Sequence, residues 1–93
     1  MIIGILNIEL FIPESNSLKT KRSAIKSIKD RLRKRFNVSV AEVNHSEKWQ
    51  RASLGISTVS NEKKHAESIL GKAINLVYGD RRVEVINSEI KFL

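Results

Sequence analysis

Ser17 to Phe36 reads SLKTKRSAIKSIKDRLRKRF, and the fold turns on what this stretch can be. Leu18, Ile25, Ile28, Leu32 and Phe36 recur at spacings of seven, three, four and four. At about 100° per residue these positions form one apolar stripe of a helix, with Ala24 at its border. Ser17 stands where its hydroxyl can accept from an early N–H of that helix. Lys21 falls inside the apolar sector, so it is expected to be a structural residue reaching a carboxylate such as Glu42 or Glu9.

Upstream, Ile2 to Ile12 has a period of two, the signature of a strand. Ile2, Leu6, Ile8, Leu10 and Ile12 share one face with Gly4, while Ile3, Ile5, Asn7, Glu9 and Phe11 share the other. Pro13, which has no N–H to give a ladder, ends the strand, and Glu14, Ser15 and Asn16 form a polar turn. Downstream, Asn37 stops the helix and Val38 to Val43 reads as a short valine-rich strand. A polar loop, Asn44 to Gln50, leads into a third strand from about Arg51 to Val59, in which Ala52, Leu54, Ile56 and Thr58 alternate with smaller or polar residues. Ser60 or Asn61 is expected to cap a second helix with Glu62 in its first turn. Ala66, Ile69, Leu70, Ala73, Ile74 and Val77 supply its apolar face, and Gly79 is expected to end it by taking a positive φ. A last strand carries Val83 and Val85, then Ile86, Ile90 and Phe92; the apolar side switches near Asn87, which predicts a bulge or bend.

The predicted order, strand–helix–strand–strand–helix–strand, is the α+β, ferredoxin-like βαββαβ arrangement. Residues 1–93 form a single domain, and right-handed crossovers put both helices on one face of a four-stranded antiparallel sheet. The other sheet face is left open, with Ile3, Ile5 and Phe11 pointing into it. A homodimer or a protein partner is expected to cover these three residues.

Charge is concentrated in the first helix. Lys19 to Arg35 contains nine bases and one acid, Asp30; the rest of the chain holds eight bases and nine acids, against a net +7 for the whole. Arg22, Lys26, Lys29 and Arg33 follow one another on the flank of the apolar stripe, with Lys19 close by, as a ridge able to meet successive phosphates. Lys and Arg near the helix end also suit its dipole, which is a structural use of the same charge. A run with so few acids lacks the i, i+4 pairs of an ordinary solvated helix. A pI of about 10.1 points to a polyanion, chiefly nucleic acid.

Other chemistry finds less support. There is no cysteine and there are two distant histidines, His45 and His65, so no metal set, disulfide or cofactor is expected. The apolar amino terminus carries Asn7 and Glu9 and is too short to cross a bilayer, which makes the cytoplasm the expected compartment. In the loop, Trp49 beside Arg51 could stack on an exposed base, or could simply pack the loop. Glu42 and His45 could be written as an acid–base pair, but no nucleophile or phosphate cradle accompanies them, so no enzyme activity is expected. The third strand lacks the aromatics that common ferredoxin-like RNA binders place on their sheet, so the helix and loops are the expected RNA surface.

Ser17-Leu18-Lys19-Thr20-Lys21-Arg22, Arg35-Phe36-Asn37-Val38-Ser39-Val40-Ala41-Glu42-Val43, Trp49-Gln50-Arg51-Ala52 and Leu54-Gly55, in that order, resemble the YlxP-like family of small bacterial domains of unknown function. The resemblance implies a ferredoxin-like fold and genes lying among those for transcription elongation, translation initiation and ribosome maturation. It implies no established activity. The combined expectation is a non-enzymatic accessory protein that binds structured, ribosomal RNA through Lys19, Arg22, Lys26, Lys29, Arg33, Trp49 and Arg51. The alternative is a homodimeric interaction module using the open sheet face.

Overall fold

The period-two segments pair as that alternation requires. In the computed structural model, which describes residues 1–13, 17–44 and 50–93, β1 (Ile2–Phe11) is the central strand, bonded on one side to β3 (Arg51–Ser60) and on the other to β4 (Glu84–Phe92). β2 (Ser39–Asn44) pairs with β3, giving the order β2-β3-β1-β4 with every pairing antiparallel. Helices α1 (Leu18–Arg35) and α2 (Lys63–Tyr78) complete the ferredoxin-like βαββαβ architecture. The turn residues Glu14, Ser15 and Asn16, and the loop residues His45 to Trp49, lie outside the described residues.

The core forms where the two helices meet the even side of β1 and β3. Leu6, Ile8, Leu10, Ile12, Leu54 and Ile56 are sealed under Ile25, Ile28 and Leu32 of α1 and Leu70, Ala73 and Val77 of α2. Gly4 permits the close seating of α2, because a Cβ there would stand 2.9 Å from Leu70 Cδ1 and 3.4 Å from Ala66 Cβ. Among the described residues no helix covers the opposite face of the sheet. Ile3, Ile5 and Phe11 are half-buried there, flanked by Val59 and Val43, which are 60% and 56% exposed.

Two ladders carry register shifts. Opposite Glu9 and Leu10, Ile86 is the extra residue of β4, one position before Asn87, where the apolar alternation changes sides. Val43 is an extra residue between Glu42 and Asn44 in β2. It packs so closely on Gly55 that a Cβ there would come within 2.7 Å of its Cγ1.

The helix ends correct three expectations. Ser17 does cap α1, its Oγ accepting from the Thr20 N–H at 3.1 Å. For α2, however, the cap position is Glu62, outside the first turn, while Ser60 Oγ accepts the Glu62 N–H at 3.1 Å. Gly79 closes α2 with φ −75° and ψ −9°, so its left-handed freedom goes unused. The chain turns instead at Asp80, whose N–H reaches Val77 O at 3.1 Å and whose Oδ1 accepts the Arg82 N–H at 2.9 Å.

Candidate nucleic-acid interface

α1 delivers its cations to three different surroundings. Lys21, in the apolar sector, is buried, with its Nζ 3.8 Å from Glu42 Oε2 on β2, as expected for a structural lysine. Arg31 reaches across to the buried Asp80, which also accepts from Arg82 Nε at 3.1 Å and Nη2 at 2.7 Å. Arg82 Nη2 in turn donates to Ser27 Oγ of α1 at 2.9 Å. This clamp ties the end of α2 to the middle of α1. The side-chain hydrogen bond from Arg82 is the largest influence holding the Asp80 carboxyl down at about 2, against burial, which acts in the opposite direction.

The third surrounding is the ridge. Arg22, Lys26, Lys29 and Arg33 line one open groove of about 340 Å³ with Ile25, Asp30 and Glu42, between α1 and the edge strand β2. Spacings of four, three and four residues, on the flank of a stripe that rests on the sheet, place them there. The groove is not purely basic. Lys26 bonds Asp30 at 2.7 Å, Arg33 Nη1 is 3.8 Å from the same carboxylate, and Arg33 Nη2 donates to Val40 O at 2.8 Å. The Lys26 hydrogen bond is the first cause of the lowered pKa of Asp30. Among the described residues, Arg22 and Lys29 make no ion pair or side-chain hydrogen bond. Lys19 and Arg22 also lie in the first turns of α1, where no acid offsets them and the helix dipole disfavours cations. Helix stability does not explain their presence.

The expected site residues do not all meet. Lys19 is exposed but lines a different hollow from the ridge, with Ile12, Thr20, Ser23, Ala24 and Arg82. Arg51 opposes Phe11 on β1 and alternates with the buried Ala52, so it projects from the open sheet face, away from α1. Trp49 and His45 lie outside the described residues. His65 is exposed on α2. Ile3, Ile5 and Phe11 share the open face, where Ile5 borders a shallow depression of about 310 Å³ with Asn7, Ala41, Val43, Gly55 and Ser57. Among the described residues no group of three or more His, Cys, Asp or Glu could hold a metal, and no helix is long and apolar enough to cross a membrane.

The Asp80–Arg82 pair escaped the sequence reading. Its signal was faint: an acid directly after a helix-ending glycine, in a tripeptide that reads as an ordinary polar turn. Arg31, its other partner, is 49 residues away.

Fold and site together define a ferredoxin-like α+β domain carrying a cationic groove on its helical side. Residues 3–90 match the model of the family described as protein of unknown function (DUF503), and the chain belongs to that family. It is 36% identical over 75 residues to the uncharacterized protein YlxP of Bacillus subtilis (strain 168), a match covering 81% of this chain and 82% of that one. Among solved structures it resembles the designed ferredoxin-fold protein LFR1 1, with a TM-score of 0.58 and 13% identity, covering 100% of this chain and 84% of that one. It also resembles the designed protein Foldit4, with a TM-score of 0.57 and 14% identity, covering 100% and 97%. These likenesses show the fold.

Proposed function

We propose that this protein is a non-enzymatic accessory factor of the cytoplasm that binds structured RNA through the groove between α1 and β2. One observation carries the reading: four cations of α1 converge on a single open groove, and two of them, Arg22 and Lys29, make no ion pair or side-chain hydrogen bond among the described residues. Desolvating an unpaired guanidinium or ammonium against a phosphate sacrifices no internal ion pair, and each contact releases condensed counterions. Ribosomal RNA is the first candidate, from the gene surroundings that the family resemblance implies. Arg51, on the far side of the sheet, takes no part in this contact.

Cosedimentation with ribosomal subunits and total RNA across a salt series tests the proposal. The wild type is compared with a folded Arg22→Glu, Lys29→Glu variant. Four phosphate contacts weaken binding by about 10² between ~50 and ~200 mM salt. Cosedimentation that the variant loses supports the reading; a flat salt response, or equal binding by the variant, refutes it.

A second reading rests on the open sheet face, where Val59 and Val43 are exposed beside the half-buried Ile3, Ile5 and Phe11. As a homodimeric interaction module the protein would bury this face against a second copy. Ile3→Glu, Ile5→Glu would then yield a folded monomer in sedimentation equilibrium, whereas a wild type that is already monomeric at high concentration rules this reading out.

A further inference from the structure

α1 carries cationic hollows on both flanks. On the β2 side lies the groove of Arg22, Lys26, Lys29 and Arg33. On the other side Lys19, Thr20 and Ser23 face Arg82 across a second hollow of about 340 Å³, floored by Ile12 and Ala24. At about 100° per residue the α1 residues lining the two hollows are centred roughly 120° apart around the helix axis, and the crest between them carries Ser23, Lys26 and Asp30. Arg82 is not a free arm. Asp80 and Ser27 hold its guanidinium beside α1 at 2.7 and 2.9 Å, which fixes a cation on this flank with little left to order on binding. The clamp of two arginines and one carboxylate keeps a net positive charge, to which Lys19 adds another.

We propose that α1 lies along the minor groove of a double-stranded RNA, its two cationic flanks meeting the phosphates of the two opposing strands. The inference rests on the RNA-binding reading above and deepens it by naming the class of RNA. A helix is about 10–12 Å across with its side chains, which suits the wide, shallow minor groove of an A-form duplex and not its deep, narrow major groove. The ridge from Arg22 to Arg33 is about 16 Å long, enough for a few successive phosphates of one strand. No aromatic side chain lines either hollow, so the stacking platform that holds single strands is missing from this surface among the described residues. The crest offers a hydroxyl instead. Ser23 is exposed there, and a hydroxyl can both donate to and accept from the ribose 2′-OH that lines an RNA minor groove.

Fluorescence anisotropy with a blunt RNA duplex, the DNA duplex of the same sequence and each RNA strand alone tests this. The RNA duplex should bind about tenfold more tightly than the other probes. Lys19→Gln should weaken duplex binding and lower the log–log salt slope by about one, because one phosphate contact on the second flank is lost. Ser23→Ala should narrow the preference for RNA over DNA. Arg82→Gln should act as Lys19→Gln does, and because Arg82 also holds Asp80, the exposed Lys19 variant is the decisive one. Single strands bound as tightly as the duplex, or a Lys19→Gln variant with unchanged duplex affinity and slope, would overturn the straddling arrangement while leaving RNA binding intact. If no RNA probe binds even at low salt, the RNA reading itself falls.

Discussion

On one flank of α1 the clamp ties two cations to one buried carboxylate; on the other the ridge leaves two cations without an ion pair among the described residues. Arg31 and Arg82 converge on a carboxylate that is only 4% exposed, and the turn after α2 is built around it. Arg22 and Lys29 face an open groove and, among the described residues, make no ion pair or side-chain hydrogen bond. The residue types are the same, and the difference lies in what each can reach. A buried acid at the end of another element turns cations into struts, whereas the ridge finds only the exposed Asp30 of its own helix and the Val40 carbonyl of the edge strand. The clamp should therefore dominate stability and the ridge should dominate binding. That division can be attacked from either side.

The largest effect should come from Asp80→Ala. The change removes the acceptor of both guanidiniums and of the Arg82 N–H, and leaves two like charges facing each other. Both cations retain partial access to water, so the loss should be about 2–4 kcal/mol by urea unfolding. By contrast, Arg22→Glu, Lys29→Glu should stay within about 0.5 kcal/mol of wild type. Equal losses in the two variants would erase the distinction between struts and free charge.

Acid probes the same carboxylate without mutation. Asp80 is held at about 2 against an ordinary 3.8, so the folded state prefers its ionised form. The stability this confers is fully present above about pH 4 and disappears as pH falls through about 2, amounting to about 2 kcal/mol. Urea midpoints at pH 5 and pH 2.5 should fall more steeply in the wild type than in Asp80→Asn. Parallel falls would show that Asp80 does not carry this part of the acid response.

How far the sequence could foresee this follows from what each feature depends on. Elements with a sustained period were legible: the even residues of β1 and β3, the α1 stripe, and the Ile86 bulge through the shift from Val83 and Val85 to Ile90 and Phe92. Lys21 was legible because a charge inside an apolar sector demands a partner. The Val43 bulge was not, since the polar residues after it give no alternation to break. The clamp was hidden because its partners are distant in sequence, and the Gly79 conformation was misjudged because the Asp80 side chain, not a left-handed glycine, closes the turn. Arg51 could have been separated from the ridge. Its parity against Ala52, Leu54 and Ile56 already puts it on the face opposite the helices.

A smaller effect should set stability against binding at one residue. Lys19 occupies the second position of α1, where the helix dipole favours an acid, and among the described residues it makes no ion pair or side-chain hydrogen bond that a substitution would break. Lys19→Glu should raise stability by about 0.3–1 kcal/mol in urea unfolding and at the same time weaken RNA binding. A variant that is both more stable and equally avid would remove Lys19 from the RNA surface.

The smallest change in stability should accompany a gain in binding. Asp30 sits among the ridge cations, 2.7 Å from Lys26 and 3.8 Å from Arg33, and it is the acid that most directly competes with a phosphate for them. Its pairs are solvent-exposed and therefore worth little to the fold, so Asp30→Asn should change the urea midpoint by less than about 0.5 kcal/mol. In the groove the same substitution removes a negative charge from the path of the RNA and frees Lys26. Affinity for RNA should rise several-fold at low salt, and the gain should shrink as salt screens the removed repulsion. An unchanged affinity would mean that the RNA contacts α1 away from Asp30. A reduced affinity would mean that Asp30 serves to hold Lys26 and Arg33 in their binding positions, which makes the acid part of the ridge and not a brake on it.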